Sequence, residues 1–240
     1  MPEVNLLKSY PSGKGTRYTR TYTIEQRLQA RKFDRDFFDG TRDQGYGGYV
    51  YDGRWAPVAK DFIEYYRLPS HARILDIGAA KGFLLYELTK LLPRADVVGI
   101  DISEYCIRNA KEEIRDKMFV CDVAAMPFRD QEFDLVICIN TVHNLPFEAC
   151  LKAIRDIERI GRHKYIQVDA WRNAQEREAF RAWQICGGFY DEEGNWVPFG
   201  TAFSTHGWEK FFKLAGYTGE YYWTVIEDVV AETPCEPVRA

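Results

Sequence analysis

The stretch ILDIGAAKGFLL, residues 74–85, decides the fold that this chain is predicted to adopt. An apolar run ends at Asp76 and Ile77, and small residues then lead into a second apolar segment that begins at Phe83. Small side chains in such a turn let the backbone approach a ligand closely, and the N-terminus of the next helix offers unpaired N–H donors. The stretch therefore predicts a buried strand, a ligand-binding turn and a helix.

The alternation of strands and helices continues beyond this stretch. Predicted strands cover residues 72–77, 95–101, 117–122, 133–140, 164–170 and 219–232. Predicted helices cover residues 83–92, 104–115 and 147–160, and a short helix starts near residue 208. The strands are continuous apolar, often β-branched runs without alternating polar residues. This pattern is typical of an α/β fold, in which helices cover both faces of a parallel sheet.

Acidic and polar residues stand where several of these strands end. Asp101 ends the second strand, 25 residues after Asp76, and Asp122 with Val123 ends the third. Ligands of open α/β sheets bind outside the carboxyl ends of the strands, where an acid can accept both hydroxyls of a ribose. Each residue also has a purely structural interpretation: Asp101 as a helix cap, Asp122 as a solvated loop acid, and the glycines as turn residues.

Residues 72–170 resemble the class I S-adenosylmethionine-dependent methyltransferases. The resemblance implies a Rossmann-like seven-stranded sheet and S-adenosylmethionine as the methyl donor. It assigns the cofactor loop to Asp76, Gly78, Ala79, Ala80 and Gly82. It further implies that Asp101 binds the ribose, Ile102 lies under the adenine, Asp122 and Val123 meet the adenine amine, and Asn140 lies near the methionine moiety.

The sequence departs from the pattern of this family at two points, and other interpretations of its function stay open. Ala80 replaces a glycine that is more frequent in mid-loop, and the C-terminal segment is barely long enough for one hairpin. The G-x-x-x-G spacing differs from the G-x-G-x-x-G that a dinucleotide pyrophosphate prefers, which disfavours an NAD enzyme. An aminopropyltransferase-like enzyme and a non-catalytic S-adenosylmethionine-binding regulatory or partner subunit remain alternatives.

The regions that flank the predicted core divide the chain into an arm and lid at residues 1–68 and a methyltransferase domain at 69–240. Residues 1–20 are polar and are predicted to be a mobile arm whose ordering on binding stays open. A helix is predicted from Ile24 to Phe38, with Ile24, Leu28, Phe33 and Phe37 on one face, and a second at residues 55–67. The tyrosine- and glycine-rich segment 39–55 and an irregular aromatic insertion at 171–205 are predicted to close over the acceptor.

Two residues are candidates for acid–base catalysis. His143 follows the fourth core strand and Asp169 ends the fifth. A general base is needed when the methyl acceptor is a hydroxyl and less so when it is a neutral amine. His143 could equally pack on the cofactor, and His206 could simply cap the last helix. Asn140 and Asp169 supply too few oxygen ligands for Mg²⁺, so no metal site is predicted.

Candidate acceptor-binding residues come from both flanking regions. They are Tyr49, Tyr51, Arg54, Trp171 and Arg172. Arginine forks bind carboxylate and phosphate groups, so these positions suggest a polar, anionic small molecule. The alternative is that many of the aromatic rings form only an accessory core between the extra helices and the sheet.

The composition limits the partners of this chain of 240 residues. With 32 Lys+Arg against 36 Asp+Glu, the net charge of −4 disfavours a nucleic-acid partner. No apolar stretch approaches the roughly 18–20 residues of a membrane helix, and no signal peptide is recognised. The six cysteines show no C-x-x-C spacing, which favours a reduced, cytoplasmic location.

The sequence thus predicts a cytoplasmic S-adenosylmethionine-dependent methyltransferase. Its acceptor is expected to be an oxygen or nitrogen of a small polar metabolite, with a sugar or sugar nucleotide as the first candidate. The oligomeric state stays open, with a homodimer among the alternatives.

Overall fold

Strands and helices alternate along the chain in the computed structural model, which describes residues 1–11, 18–19, 22–226 and 230–231. Within these residues the strands are β1 (Tyr18–Thr19), β2 (Arg73–Ile77), β3 (Asp96–Asp101), β4 (Met118–Val120), β5 (Phe133–Ile139), β6 (Gly161–Trp171), β7 (Gly188–Tyr190), β8 (Trp196–Pro198), β9 (Phe203–Ser204), β10 (Glu220–Val225) and β11 (Val230–Ala231). The α-helices are α1 (Ile24–Ala30), α2 (Arg35–Asp39), α3 (Ala56–Tyr66), α4 (Phe83–Leu91), α5 (Glu104–Arg108), α6 (Phe147–Ile160), α7 (Ala174–Trp183) and α8 (Thr205–Ala215).

Seven of these strands form one sheet, which confirms the predicted α/β architecture. Six run in the order β10-β6-β5-β2-β3-β4, and β9 pairs with the end of β6. Every pairing in this sheet is parallel. The carboxyl ends of the strands therefore meet at one edge, where the segments that follow β2, β3, β5 and β6 come together.

The core fills both faces of this sheet. On one face α6 and α8 bury side chains such as Ile154, Trp208 and Phe212. On the other face α3 and α4 bury Phe62 and Leu88. Because helices cover both faces, the strands have no solvated side, which explains their continuous apolar sequence.

The predicted helix at residues 24–38 is wrong in its length and in its buried face. Phe33 has a left-handed φ of 48°, so the chain breaks between α1 and α2. Ile24 and Leu28, predicted to be buried, are 43% and 52% exposed. The buried face of α1 instead carries Arg27 and Ala30. Tertiary contacts to the insertion decide this orientation, and apolar spacing within the helix does not report them.

The predicted mobile arm is also wrong for residues 1–11. The N–H of Val4 donates to the carbonyl of Tyr221 at 2.9 Å, and Leu6 is only 3% exposed. This segment packs along β10, at the edge of the sheet. Residues 12–17 and 20 of the predicted arm lie outside the described part of the chain.

Two further segments differ from their predictions. The helix predicted at residues 104–115 ends at Arg108, and a 3₁₀ turn follows at Glu112–Lys117. The N–H of Lys111 donates to the carbonyl of Lys81 at 3.2 Å, and this tertiary bond accompanies the interruption. The insertion at 171–205 contains α7, which covers its helix-like polar run to about Trp183, and an antiparallel hairpin of β7 and β8 that the sequence does not predict.

The cysteines in the described residues are free thiols at positions 106, 121, 138, 150 and 186, and Cys235 lies outside them. No helix in the described ranges is both long and apolar enough to cross a lipid bilayer.

Candidate functional site

The turn after β2 is fixed by hydrogen bonds to the end of β3. The amides of Gly78 and Ala79 both donate to the carbonyl of Ile100, at 2.8 and 3.0 Å. Gly78 has a φ of +73°, and a Cβ atom there would lie 1.9 Å from Oγ1 of Thr141. Glycine is therefore required by both the backbone conformation and the close approach of the segment after β5.

Asp101 lies against this turn, as its position at a strand end predicts. Its Oδ2 accepts from the amide of Ala80 at 2.8 Å, and its Oδ1 accepts from the amide of Ser103 at 2.9 Å. Burial raises the pKa of the Asp101 carboxyl, and the hydrogen bonds from Ser103 and Ala80 oppose that shift. Each carboxylate oxygen keeps acceptor capacity for a further donor.

Asp76 is a buried acid at the same edge. Its side chain is 5% exposed and accepts no hydrogen bond from the described residues. Burial, with a smaller contribution from the charge of Asp101, raises the pKa of Asp76 to about 7. A buried carboxylate without a donor is unfavourable, so this position fits a cationic group of a ligand.

Ile102, Asp122 and Val123 lie beside the carboxyl ends of β3 and β4. Ile102 follows Asp101 and is 55% exposed, which is high for an isoleucine. The Asp122 side chain is exposed and accepts from the amide of Ala124 at 2.8 Å, and Val123 is buried. An exposed apolar side chain beside two acids could pack against a flat, polar-edged ring.

Asn140 stands at the end of β5 with a left-handed φ of 50°. Its amide donates to the carbonyl of Gln167 at 2.8 Å, and its Oδ1 accepts from Oγ1 of Thr224 at 3.0 Å. The Gln167 side chain donates to the same Thr224 oxygen at 2.9 Å. Strands β5, β6 and β10 are thus linked through side chains at the edge that carries the turn.

The two predicted catalytic residues contact each other. The amide of Asp169 donates to Nδ1 of His143 at 3.3 Å, and Nε2 of His143 lies 3.4 Å from Oδ2 of Asp169. Burial lowers the pKa of His143, although the charge of Asp169 opposes the shift. The imidazole is therefore neutral at physiological pH, with Nδ1 as its acceptor.

Asp169 has a second neighbour that the sequence did not suggest. The side-chain amide of Gln184 donates to Oδ2 at 2.6 Å, whereas Oδ1 accepts no hydrogen bond from the described residues. Asp169 is only 3% exposed. A small cavity adjoins this group and is lined by His143, Asn144, Asp169, Gln184, Cys186 and Thr201, among others. The insertion thus forms the wall opposite the sheet edge.

The tyrosine- and glycine-rich segment contacts the ligand-binding turn. Asp39 accepts from the side chains of Lys81 and Tyr105 and, at 3.0 Å, from the amide of Tyr49. Lys81 also donates to the carbonyl of Tyr49 at 2.9 Å. Burial raises the pKa of Asp39, but the hydrogen bonds from Lys81 and Tyr105 outweigh it and leave the pKa below its usual value. We call Asp39, Lys81, Tyr49 and Tyr105 the clasp.

Tyr46 belongs to the same segment and packs against Phe37 and Phe38, with ring centroids 5.0 and 5.8 Å apart. Burial raises the pKa of its hydroxyl, and the charges of Cys186, Asp169 and Asp101 add to the shift. The side chain nevertheless remains 44% exposed. Its ring also lies 5.2 Å from that of Tyr49, so Tyr46 extends the aromatic packing of this segment.

The remaining candidate acceptor residues lie in other surroundings. Tyr51 donates to Glu87 of α4, and its ring meets that of Phe83 edge-on with centroids 5.7 Å apart. Arg54 pairs with Asp52, and Arg172 pairs with Glu176. Trp171 packs against Phe180 with ring centroids 5.4 Å apart. Only Tyr49 of this set belongs to the clasp, where its ring stacks on Phe83 at 4.9 Å.

The sequence does not single out Gln184 and Cys186, which line the cavity, or Arg27 and Arg31, which donate to the carbonyls of the lining residues Gln184 and Asn144. Arg27 and Arg31 are four residues apart on and just after α1, so helical spacing could have placed them together. Arg27 contacts Gln184, 157 residues away, and Arg31 contacts Asn144, 113 residues away, and no local pattern reports such contacts.

Comparison with known proteins adds a family match. The profile of the family described as "Methyltransferase domain" matches residues 68–212. The solved structure of the PH0226 protein from Pyrococcus horikoshii OT3 aligns over 75% of this chain and 85% of that one, with a TM-score of 0.51 and 20% identity. At this identity the likeness supports the fold alone.

Curated relatives match shorter segments. A demethylmenaquinone methyltransferase from Roseiflexus sp. (strain RS-1) is 36% identical over 97 residues, which are 39% of this chain and 40% of that protein. A trans-aconitate 2-methyltransferase from Variovorax paradoxus (strain S110) is 34% identical over 86 residues, 35% of this chain and 33% of that protein. The matches therefore span less than half the length of either relative.

Proposed function

The chain belongs to the class I S-adenosylmethionine-dependent methyltransferases, and we propose that it methylates an oxygen or nitrogen of a small polar molecule bound beside Asp169. One observation carries this proposal. Asp76, the Gly78 turn, Asp101 and Asn140 meet at one sheet edge, and a cavity with a buried carboxylate adjoins that edge.

The residues at the edge fit the groups of the cofactor. The buried Asp76 carboxylate suits the ammonium of the methionine moiety, and Asp101 suits the two ribose hydroxyls. The exposed side chain of Ile102 would support the adenine. Asp122 and Val123 would meet its amine edge, and Asn140 would lie near the methionine moiety. The turn formed by Gly78, Ala79, Ala80 and Gly82 would allow close approach of the backbone.

Asp169 is the residue that we assign to proton transfer. When bound, the cofactor supplies a methyl group that bonds to the acceptor atom, while its sulfur keeps the electron pair of the broken bond. Oδ1 of Asp169 faces no donor among the described residues, so it can take the proton that a hydroxyl or amine acceptor loses.

His143 is better placed to hold Asp169 than to act as the base itself. Its Nδ1 already accepts from the Asp169 amide, and its Nε2 faces the Asp169 carboxylate. Together with Gln184 it fixes Oδ2, which leaves Oδ1 for the acceptor. Alignment of the acceptor and exclusion of water are the main requirements of an in-line methyl transfer.

The acceptor would lie between the insertion and the tyrosine- and glycine-rich segment. Tyr46 packs on Tyr49 of this segment, and the clasp holds the segment on the cofactor turn. The two curated relatives are named for demethylmenaquinone and trans-aconitate, neither of which is a sugar. The sugar acceptor suggested by the sequence is therefore not part of this proposal, and the cytoplasmic location and oligomeric state stay predictions.

Calorimetric titration with S-adenosylmethionine, S-adenosylhomocysteine and NAD tests the cofactor site. We expect the first two to bind, NAD to be silent, and Asp101→Ala to weaken binding about 100-fold, because charge-assisted hydrogen bonds are lost. Asp96→Ala is the matched control, because Asp96 lies at the opposite end of β3 in an exposed ion pair with Arg73. Binding of NAD, or equal affinity of the Asp101→Ala protein, would contradict the proposal.

A further inference from the structure

Arg27 is an almost completely buried cation beside the acceptor cavity. It is 5% exposed, and its guanidinium donates to the carbonyls of Gln184, at 3.0 Å, and Arg181, at 3.5 Å. The ring of Trp196 lies on one side, 5.6 Å from the guanidinium carbon. The carbonyl of Gln184 belongs to a residue that lines the cavity.

Arg31 lies beside the same cavity. Its guanidinium donates to the carbonyl of Asn144 at 3.1 Å, and Asn144 also lines the cavity. The ring of Phe199 lies 5.3 Å from the guanidinium carbon. A guanidinium group carries five N–H donors. The described contacts of Arg31 use one of them, so its fork retains donors for another group.

Neither arginine has a carboxylate partner among the described residues. Burial lowers the pKa of both guanidinium groups, and the groups that oppose this shift are tyrosines and the Cys186 thiol. Burial raises the pKa of Cys186 to about 12, although Arg31 and Arg27 oppose the shift, so Cys186 is a neutral thiol at physiological pH. Two partly or fully buried cations thus lack a nearby anion, which is unfavourable unless a ligand supplies one.

Other arginines of the chain show the contrasting arrangement. Arg54 pairs with Asp52, and Arg172 donates through both Nε and Nη2 to Glu176. Those guanidinium groups are largely exposed, with side-chain exposures of 48% and 52%. The most buried arginine near the cavity is therefore neutralised by no acid in the described residues, whereas these exposed ones are.

The surroundings of the cavity differ in charge. Arg27 and Arg31 do not line it but donate to the carbonyls of Gln184 and Asn144, two residues that do, and Asp169 lines the sheet side. A ligand that fits both sides of the cavity has an anionic group facing the arginines and a hydrogen-bond donor facing Oδ1 of Asp169. The planar fork of arginine matches the two oxygens of a carboxylate.

We propose that the methyl acceptor carries a carboxylate that Arg27 and Arg31 bind, with its methylated hydroxyl or amine towards Asp169. This inference rests on the proposed function and names the chemical class of its acceptor. The anion would replace the backbone carbonyls as partner of one or both guanidinium groups, which requires a small displacement of α1 from the insertion.

Thermal unfolding of the protein saturated with S-adenosylhomocysteine tests this inference without turnover. The probes are malonate, succinate and citrate, compared with malonamide and succinamide, with sodium phosphate, and with sodium chloride at equal ionic strength. We expect at least one carboxylate to raise the unfolding temperature above the chloride reference, and the amides to have no effect. The apparent affinity should fall about tenfold or more in Arg31→Gln.

Lys32→Gln is the matched control, because it removes one positive charge next to Arg31 from an exposed position. Carboxylates should still raise the unfolding temperature of the Lys32→Gln protein. Arg27→Gln, if it folds, is a second variant in which this rise should be lost. Stabilisation by none of the carboxylates, by phosphate alone, or equally in Arg31→Gln would overturn the inference. Failure of the wild-type protein to bind S-adenosylhomocysteine would instead refute the proposed function, and this inference with it.

Discussion

The two halves of the site are built in different ways. The cofactor half is a single parallel edge, where backbone amides of the Gly78 turn bind the carbonyl of Ile100 and the Asp101 carboxylate. The acceptor half joins the sheet to distant segments through side chains, as in the contact of Gln184 with Asp169 and of Arg27 with the Gln184 carbonyl. The first half depends on local chain geometry, whereas the second depends on how the insertion and α1 pack.

This difference explains how one cofactor site can be combined with different acceptor sites on the same fold. The turn between β2 and α4 has little freedom, because a Cβ at Gly78 would meet Thr141. The insertion can change its residues without disturbing that turn.

Gly78→Ala should have the largest effect on stability, because it alters the rigid turn in the cofactor half of the site. The new Cβ would lie 1.9 Å from Thr141 Oγ1 in a left-handed backbone conformation. We expect the free energy of unfolding in urea to fall by about 3 kcal/mol, from overpacking and backbone strain together. Gly194→Ala is the control, since Gly194 also has a positive φ, of 81°, but its Cβ would meet no atom within 4 Å. Equal losses in the two variants would show that the close contact is unimportant.

The ionisation of Asp76 should control cofactor affinity through pH. Its pKa is raised from 3.8 to about 7, so the free protein holds a proton there below neutrality. An ammonium ligand prefers the ionised form, so we expect affinity for S-adenosylhomocysteine to fall up to tenfold per pH unit below about 7. Asp76→Asn should remove that slope in calorimetric titrations. An unchanged slope in Asp76→Asn would assign the pH dependence to another group.

The ionisation of Asp76 also determines how the stability of the folded protein changes with pH. Because the folded-state pKa of Asp76 is raised, the ligand-free folded protein binds more protons than the unfolded chain between about pH 4 and 7. Its contribution to stability therefore declines as the pH rises through that window. Urea unfolding of the Asp76→Asn protein should lack this decline, and an identical pH profile would contradict the assignment.

Loosening the clasp should have a moderate effect. Asp39→Asn removes the negative charge that faces Lys81 and Tyr105. We expect S-adenosylhomocysteine to dissociate about tenfold faster, with faster amide hydrogen exchange in residues 40–51, because the segment opens more readily. Asp52→Asn is the control, since its partner Arg54 is 48% exposed on its side-chain surface. Unchanged dissociation in Asp39→Asn would mean that the clasp does not retain the cofactor.

Two predicted acceptor residues should have the smallest effect. Arg54→Ala and Arg172→Ala each remove a guanidinium that already pairs with a carboxylate. We expect the KM for the acceptor to remain within about twofold, because each guanidinium is already bound to a carboxylate of its own segment. A large increase in KM for either variant would restore the sequence-based assignment and weaken that of Arg31.

The cofactor half was largely predictable from sequence, and the acceptor half was not. The turn from Asp76 to Gly82 is local, so small residues between apolar runs identify it. The break after α1 occurs at Phe33, which adopts a left-handed backbone conformation although it is not a glycine, so the sequence does not predict the break. Nothing in the sequence singles out Arg27, yet contacts with Gln184 bury it. Such long-range contacts leave no periodic pattern in the sequence.

Methyl transfer by the Asp169→Asn protein tests most directly whether Asp169 acts on the acceptor and not on the cofactor. Wild-type protein, isotope-labelled S-adenosylmethionine and a pool of small carboxylic acids would be incubated together, and labelled products measured by mass spectrometry. We expect the variant to transfer methyl groups at least about 100-fold more slowly than the wild-type protein, while its affinity for S-adenosylhomocysteine stays within about twofold of the wild-type value. Undiminished transfer, or equal loss of cofactor binding, would contradict the assignment of Asp169 to the acceptor half.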